Sequence, residues 1–306
     1  MSRAVIHESF GGPEVLEVRE VTEPHAGPGE VRVRVAAAGL NPMDSMIASS
    51  SELAQGFGYT LPSGFGHDLA GTLDEMGDGV KGFAVGDRVY GSALGAAVAD
   101  YALVTPADER LFHTPEGISD VVACTLPVAG LSACAALNAI DLKAGDTILI
   151  GGAAGGVGVF AVQLARLAGA RAIGTCSEGT FEFLRGLGAE PVVYGPGLAE
   201  RVRRLAPGGV TAATDLFGTE TVEAALALGV SPDRISAIAA GRNPPGGVQA
   251  TGGSEAPPDA LDRIAEAITA GKFTVPIAAT FPIVEIREAV TLQRDRHVHG
   301  KVVVTL

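Results

Sequence analysis

Residues 1–115 contain short hydrophobic runs that alternate with polar positions and are separated by turns rich in glycine and proline. The segment 30–37 contains VRVRV, so it is predicted to be a strand with Arg32 and Arg34 on its solvent face. Further short strands are predicted at Ala4–Ile6, Val15–Val21, Leu69–Met76 and Arg88–Tyr90. Many short strands joined by such turns are typical of a small barrel or sandwich.

The pattern changes near residue 114 to longer segments with helical spacing. A helical stretch is predicted over 119–140, interrupted by Pro127. From residue 146, predicted strands alternate with predicted helices: strands at 147–150, 170–175, 192–193, 212–216 and 234–238, and helices at 157–168, 180–187, 197–205 and 219–228. This alternation predicts a parallel sheet with helices on both faces.

After about residue 253 the pattern changes once more. Helices are predicted at 257–270 and 285–295, and strands at 273–280 and 301–306. The fold class is therefore predicted to be α/β, with a doubly wound parallel sheet domain at 116–255. The β-rich domain is predicted to be discontinuous and to comprise 1–115 and 256–306.

A glycine-rich loop, GAAGGVG at Gly152–Gly158, joins a predicted strand to a predicted helix. Glycines allow the backbone to approach a pyrophosphate closely, and amides at a helix N-terminus bind its negative charge. We predict that a nucleotide cofactor is bound by the amides of Ala154, Gly155, Gly156 and Val157. A glycine-rich turn without a ligand is the alternative. A membrane span is rejected because glycines, Gln163 and turn signals interrupt the apolar run.

Composition limits the partners of the chain. It has 306 residues, is 47% hydrophobic and carries a formal net charge of −13, which argues against nucleic acid or an anionic membrane as a partner. The three cysteines, Cys124, Cys134 and Cys176, contain no CxxC pair, which favours a reducing compartment over a disulfide framework. The first residues contain no apolar run typical of a signal peptide, so we expect a cytoplasmic protein.

Four sequence blocks and the C-terminal ending occur in a distinctive order. They are AGLNPMDSMI (Ala38–Ile47), GFGHDLAGTLDEMGDGVKGFAVGDRVYG (Gly64–Gly91), LPVAGLSACAAL (Leu126–Leu137), GAAGGVGVFAVQLA (Gly152–Ala165) and HGKVVVTL (His299–Leu306). Together they resemble the medium-chain dehydrogenase/reductase superfamily, specifically its zinc-free quinone oxidoreductase (zeta-crystallin-like) branch. The resemblance implies a GroES-like catalytic domain and a Rossmann domain, a nicotinamide cofactor that is usually NADPH, and a homodimer.

The resemblance also allows the zinc-ligand positions of relatives to be compared with this chain. Zinc-dependent relatives have ligands at positions where this chain has Asn41, the pair His67-Asp68 and a residue near Ala129, and they carry a four-cysteine lobe that is missing here. Catalytic zinc needs three protein ligands and an open position, so the chain is predicted to be zinc-free. Without a Lewis acid, an acceptor that takes hydride unaided is favoured, such as a quinone or a polarised C=C bond.

The family pattern assigns roles near the reacting centre. The counterpart of Asn41 faces the nicotinamide ribose and the substrate, whereas residue type alone favours turn chemistry for Asn41 and a structural role for Asp44. Ser132 is predicted near the nicotinamide, with a helix serine bonded back to a carbonyl as the alternative. Tyr59 is a candidate proton donor, with a loop tyrosine at the rim as the alternative. The predicted substrate pocket is lined by Met43, Met46, Tyr59 and Val128.

Other predicted cofactor contacts follow later strands. The segment Ala239, Ala240 and Gly241 is expected to pass close to the nicotinamide. Lys301 matches a basic position of the family, with a solvated lysine at a strand start as the alternative.

The choice of cofactor depends on the residues after the second strand. Glu178 lies where an acidic residue favours NAD. The family's 2′-phosphate cradle has Ser or Thr followed by a nearby basic residue, and Ser177 fits without such a neighbour. Tyr194 and Arg242 are further candidates to contact the nucleotide. We predict NADPH, with NADH as the alternative.

The leading hypothesis is therefore an NADPH-dependent, zinc-independent quinone oxidoreductase that acts on a small molecule. One alternative is an enoyl or 2-alkenal reductase that reduces a C=C bond, with polyketide tailoring as one setting for this reaction. A second alternative is a redox sensor that binds cofactor without turnover.

Overall fold

The computed structural model describes residues 1–106, 111–241, 243–295 and 297–306. The chain divides into two compact units. Unit 1 comprises Met1–Val128 and Ala265–Leu306, and unit 2 comprises Ala129–Ile264. Each unit has its own sheet and its own buried apolar residues, as the hydrophobic pattern of the sequence requires.

In the described part of the chain, the strands are β1 (Ser2–His7), β2 (Glu17–Val21), β3 (Val31–Leu40), β4 (Ser63–Gly64), β5 (Asp68–Met76), β6 (Arg88–Ser92), β7 (Tyr101–Val104), β8 (Leu111–His113), β9 (Thr147–Gly151), β10 (Arg171–Cys176), β11 (Glu190–Val193), β12 (Ala212–Asp215), β13 (Ile235–Ala237), β14 (Gln249–Ala250), β15 (Ile277–Pro282) and β16 (Lys301–Thr305).

The α-helices of the same residues are α1 (Pro42–Ser49), α2 (Ser51–Gly56), α3 (Asp120–Ala123), α4 (Pro127–Ala139), α5 (Gly158–Leu167), α6 (Phe181–Gly186), α7 (Leu198–Leu205), α8 (Glu220–Ala227), α9 (Ala260–Thr269) and α10 (Ile286–Arg294).

Unit 1 is built around a sheet with the strand order β15-β16-β3-β5-β6-β8, and β7 also pairs with β3. A smaller sheet has the order β2-β1-β4. The long strand β3 pairs antiparallel with β16, β5 and β7, so it brings the C-terminal strand next to the N-terminal half of the chain. Alternating side chains of these strands, such as Val31, Val33, Leu69 and Leu73, are fully buried.

The solvent face predicted for Arg32 is wrong, whereas Arg34 is exposed as predicted. Arg32 is buried because its guanidinium bonds both carboxylate oxygens of Asp74 at 2.9 and 3.1 Å, and it also lies over the ring of Tyr101. A guanidinium with such partners can be buried at little cost, which strand alternation alone does not reveal.

Unit 2 is a parallel sheet with the strand order β11-β10-β9-β12-β13-β14. Leu149 and Ile173 are fully buried, as expected for strands covered on both faces. The predicted strands and helices of this unit all form, with ends that differ by up to a few residues. Strand β14 was not predicted because its two residues carry no hydrophobic pattern.

The predicted fold class is confirmed: the chain combines a Rossmann-like parallel sheet with a GroES-like β-rich part. In the residues that the structure describes, every helix is too short or too polar to cross a membrane.

Candidate active site

The loops predicted to hold the cofactor lie at one edge of the unit 2 sheet. The glycine loop follows β9, Ser177 follows β10, Tyr194 follows β11, and the segment 239–241 begins two residues after β13. Because these strands are parallel neighbours, their carboxyl ends meet at the same sheet edge, where ligands bind in such folds. The structure therefore brings these predicted residues to one edge.

The glycine loop has the shape that close approach to a phosphate requires. Gly152 has a φ of +66°, in the left-handed region. A Cβ at Gly158 would lie 2.2 Å from the carbonyl oxygen of Gly152, so a larger residue cannot occupy this position without moving the loop. A Cβ at Gly155 would have that same oxygen, at 3.4 Å, as its nearest neighbour. Ala154, Gly155, Gly156 and Val157 are partly exposed just before α5, where the first amides of a helix lack helical partners. The amide predicted to bind at Gly155 instead donates to the carbonyl oxygen of Gly152 at 3.0 Å, which tightens the turn. The close backbone of this loop fits the approach of a pyrophosphate, and its contacts with one stay predictions.

Asp215 supports this edge and was missed by the sequence reasoning. Its Oδ1 accepts from the amides of Phe217 and Gly218 at 3.0 and 2.8 Å, and its Oδ2 accepts from the amide of Thr221 at 2.8 Å. The carboxylate thus fixes the loop between β12 and α8, next to Gly151. The sequence offered a signal for this role, because Asp215 is an acidic residue at the end of a buried strand and directly before a loop.

A cation lies close to the end of β10, although none is adjacent in sequence. Burial raises the pKa of the Cys176 thiol to about 11, and the positive charge of Arg185 opposes this shift. The Arg185 side chain is 53% exposed and pairs with Glu182, and its guanidinium lies over the ring of Phe181. Ser177 is exposed, and its hydroxyl is 2.8 Å from that of Thr180. The sequence did contain a signal for this cation: helical spacing in α6 places Arg185 one turn after Phe181.

The remaining predicted cofactor residues of unit 2 differ in exposure. Tyr194 is 51% exposed, and Ala239 and Gly241 are also exposed, whereas Ala240 is partly buried. Ser132 is buried in α4. Arg242 lies outside the described residues. The contacts of these residues with a cofactor stay predictions.

Unit 1 contains a buried polar cluster centred on Asn41. Lys301 Nζ donates to Asn41 Oδ1 at 2.6 Å and to the carbonyl oxygen of Leu40 at 3.0 Å. The Asn41 amide nitrogen Nδ2 donates to Asp68 Oδ2 at 2.9 Å. The amide of Val128 donates to both carboxylate oxygens of Asp68 at 3.2 Å. Both ends of the Asn41 side chain are thus engaged inside unit 1.

Lys301 is not the solvated lysine that was the alternative interpretation, since its side chain is buried. Burial lowers the pKa of Lys301, and the charges of Asp68 and Asp44 compensate in part. Burial raises the pKa of Asp68 to about 6, against the opposing charge of Lys301 and the hydrogen bond from Asn41. The two buried ions therefore depend on each other and on the Asn41 amide between them.

This raised pKa predicts a pH dependence of stability. The pKa of Asp68 in the folded protein lies above its ordinary value of 3.8. The stability that the protonated carboxyl contributes is therefore complete below pH 3.8 and is lost as the pH rises through about 6. The free energy of unfolding of Asp68→Asn, relative to wild type, should rise by about 2 to 3 kcal/mol between low and neutral pH. Urea unfolding across this pH range, with the exposed Asp141→Asn as control, measures the difference. A constant difference would contradict the raised pKa.

A second group of polar side chains joins Asn41 to Tyr59. The backbone amide of Asn41 donates to Asp44 Oδ2 at 2.7 Å, an arrangement that closes the first turn of α1 after Pro42 at its first position. The other oxygen of Asp44 bonds Nδ1 of His67, and Nε2 of His67 lies 2.9 Å from the hydroxyl of Tyr59. Asp44 and His67 are buried, and Tyr59 is partly exposed.

The charge of Asp44 affects His67. Burial lowers the pKa of His67, but the hydrogen bond and charge of Asp44, with the charge of Asp68, outweigh burial and raise that pKa above 6.5. The hydroxyl of Tyr59 is thus tied to a buried ionisable pair, and its role as a proton donor stays a prediction. Its partners His67 and Asp44 were not predicted from the sequence.

The segments that carry these polar side chains also carry apolar residues with exposed surface. Of the predicted pocket residues, Met46 is 48% exposed, and Met43 and Val128 are partly exposed. Phe57, on the segment that leads from α2 to Tyr59, is 50% exposed. Exposed apolar residues near convergent polar groups are typical of a site for a small apolar molecule.

The residues at the zinc positions do not fit a metal. Asn41 holds an ammonium and a carboxylate, and His67 binds Asp44 and Tyr59. In the described part of the chain, no group of three or more His, Cys, Asp or Glu side chains could hold a metal ion.

Comparisons with known proteins identify the class. A parallel sheet with a glycine loop at its carboxyl edge, joined in one chain to a β-rich unit, is the architecture of a two-domain dinucleotide-binding protein. The alcohol dehydrogenase GroES-like domain family matches residues 27–115, and the zinc-binding dehydrogenase family matches residues 187–304. Both matched families are families of dehydrogenases, which agrees with the resemblance to the medium-chain dehydrogenase/reductase superfamily.

Individual proteins agree with this assignment. A quinone oxidoreductase from Pseudomonas aeruginosa is 41% identical over 179 residues, which is 58% of this chain and 54% of that protein. The chain thus spans about half the length of the curated relatives it matches.

Solved structures match over nearly the full length of both chains. A quinone oxidoreductase from Coxiella burnetii has 29% identity and a TM-score of 0.87, with coverage of 100% of this chain and 99% of that chain. A mycobacterial protein complexed with NADPH has 27% identity and a TM-score of 0.86, with 100% coverage of both. The CurK enoyl reductase has 26% identity and a TM-score of 0.87, with 99% coverage of both.

Proposed function

We propose that the protein is an NADPH-dependent, zinc-independent reductase that transfers hydride to a quinone or a related conjugated acceptor. The observation that carries the proposal is the Lys301–Asn41–Asp68 cluster. Its central amide, Asn41, stands where zinc-dependent relatives have a metal ligand, and both ends of that amide are bonded to Lys301 and Asp68. Names of relatives, quinone oxidoreductase and enoyl reductase, support the same class of acceptor.

NADPH would be held by the amides of the glycine loop at the start of α5, and it supplies a hydride when bound. The protein contributes binding and orientation, because an acceptor that takes hydride unaided needs no Lewis acid. The cluster around Asn41 keeps the loop between β3 and α1 in a fixed position through buried hydrogen bonds. The protein is further proposed to act on a small molecule as a homodimer, as the family resemblance implies, and to lie in the cytoplasm, as its cysteine pattern predicts.

The preference for NADPH is assigned to Arg185 together with Ser177. Arg185 is a partly exposed cation near the end of β10, which is where a 2′-phosphate would be recognised in this fold. Replacing Arg185 with alanine should raise the KM for NADPH about tenfold, by loss of a charge-assisted hydrogen bond, with little change for NADH. Steady-state kinetics with both cofactors measure this, with the exposed Arg204→Ala as control. An equal change for both cofactors would contradict the assignment.

An enoyl or 2-alkenal reductase is the second candidate, favoured by the hydrogen bond between Tyr59 and His67. Reduction of a C=C bond needs a proton on carbon after hydride addition, and a positioned phenol can supply it. Quinone reduction places its protons on oxygen, where water suffices.

Oxidation of NADPH and NADH, measured side by side with a small panel of quinones and enones, tests the proposed function. We expect fast consumption of NADPH and slower consumption of NADH. A preference for NADH would overturn the cofactor assignment alone. Tight binding of cofactor without consumption in the presence of any acceptor would overturn the proposed function and favour a non-catalytic redox sensor.

A further inference from the structure

Tyr59 lies at the end of a row of hydrogen-bonded side chains that leads from the interior of unit 1. Asp44 bonds Nδ1 of His67, and Nε2 of the same ring is 2.9 Å from the Tyr59 hydroxyl. Asp44 and His67 are each 3% exposed, whereas the tyrosine reaches the surface. The row therefore connects a buried carboxylate, through an imidazole, to the phenol of a partly exposed tyrosine.

Both ends of the row are fixed by other parts of the fold. The second oxygen of Asp44 accepts the backbone amide of Asn41, which prevents the carboxylate from rotating away from His67. The ring of Tyr59 packs on Gly95, where a Cβ would lie 2.3 Å from the ring atom Cε1. Gly95 has a φ of +68°, so its backbone also favours glycine. The position of the phenol is thus set by the backbone beneath it.

A small cavity of about 10 Å³ adjoins the row and is bounded by Asp44, Tyr59, His67 and His7, among others. A volume of this size is about that required by one water molecule. Little space is left for the imidazole or the phenol to adopt other positions.

We propose that Asp44 and His67 form a proton relay that positions and recharges Tyr59, and that the acceptor class is therefore an α,β-unsaturated carbonyl compound. This inference rests on the proposed function. Asp44 fixes the imidazole so that Nε2 faces the phenol, and His67 exchanges a proton with Tyr59. Tyr59 touches the substrate, whereas Asp44 and His67 are positioning residues that act through it.

For an enone, NADPH would supply the hydride and become NADP⁺. As the C–H bond of the cofactor breaks, hydride adds to the β-carbon of the acceptor, and the C=C electron pair moves toward the carbonyl to give an enolate. The Tyr59 O–H bond breaks, its proton bonds to the α-carbon of the enolate, and the phenolate takes the Nε2 proton of the imidazolium. The imidazole keeps the proton on Nδ1, which stays hydrogen-bonded to Asp44. Solvent then returns a proton to Nε2 of His67.

The test compares enone and quinone reduction in the same preparations, since a quinone needs no protein acid. We expect Tyr59→Phe and His67→Gln each to lower kcat for the enone, and the ratio of enone to quinone kcat should fall about 100-fold. The matched controls are Tyr101→Phe and His113→Gln, which remove the same groups elsewhere in unit 1 and should keep both rates.

Isotope effects separate a relay from mere structural support. In His67→Gln, protonation should become slow, so the solvent deuterium isotope effect on enone reduction should rise and the effect of deuterated NADPH should fall toward one. A structural displacement would instead slow hydride transfer for both acceptors. An unchanged ratio in the conservative Tyr59→Phe variant would overturn the relay alone. Failure of the wild type to oxidise NADPH with any acceptor would overturn the proposed function and the relay together.

Discussion

Replacing Lys301 with methionine is expected to lower the free energy of unfolding by about 3 to 5 kcal/mol at neutral pH. Methionine has a similar length but leaves Asn41 Oδ1 and the Leu40 carbonyl oxygen without their donor. It also removes the opposing charge from the fully buried Asp68. Uncompensated buried charge and unsatisfied acceptors act in the same direction, so the loss should be large. Urea unfolding followed by circular dichroism measures it.

The double variant Lys301→Met with Asp68→Asn provides the matched comparison. Removal of the carboxylate charge should restore a substantial part of the lost stability, because the two sites interact. A loss below about 1 kcal/mol in the single variant would show that the buried ammonium is not needed. Additive effects in the double variant would show that Lys301 and Asp68 do not interact.

Replacing Gly158 with alanine is expected to lower the affinity for NADPH about 100-fold, equivalent to about 2.7 kcal/mol. The added Cβ would lie 2.2 Å from the Gly152 carbonyl oxygen and 2.5 Å from the carbonyl carbon of Ala153, so the loop backbone must move. Such overpacking also costs about 1 to 3 kcal/mol of stability. Fluorescence titration with NADPH and thermal unfolding measure the two effects.

Two other glycines separate steric strain from blocked binding. A Cβ at Gly155 would have the Gly152 carbonyl oxygen, at 3.4 Å, as its nearest neighbour, so Gly155→Ala should keep its stability and lose affinity by obstructing the phosphate. Gly208 has open space around it, and Gly208→Ala should keep both properties. Unchanged NADPH affinity in both loop variants would contradict binding at the glycine loop.

The sequence was sufficient to predict the parallel sheet because each element there has its own hydrophobic periodicity. Strands such as β9 and β12 are short apolar runs followed by turn residues, and they match the predicted ranges within one residue. The order of loops along the carboxyl edge follows directly from parallel pairing. Strand β14 lacked such a pattern and was therefore missed.

The polar clusters were harder to predict because they depend on pairs far apart in sequence. Lys301 and Asn41 are separated by 260 positions, and they meet because β16 pairs with β3. A lysine after a glycine at the start of a strand gives no local sign of burial. Likewise, the sequence places His67 at a metal-ligand position of zinc-dependent relatives, whereas its partners Asp44 and Tyr59 follow from the packing of three separate segments. Arg32 was mispredicted as solvent-exposed for the same reason, because its partner Asp74 lies on another strand.

Hydride transfer by this protein is proposed to need no metal ion. The zinc content of the purified protein is measured together with its rate of NADPH oxidation, using a quinone before and after extensive chelation. We predict less than about 0.1 zinc per chain and an unchanged rate, because Asn41 stands at a ligand position of zinc-dependent relatives and its side chain is bonded to Lys301. Loss of the rate on chelation, with recovery on addition of zinc, would show that a metal ion takes part in the reaction.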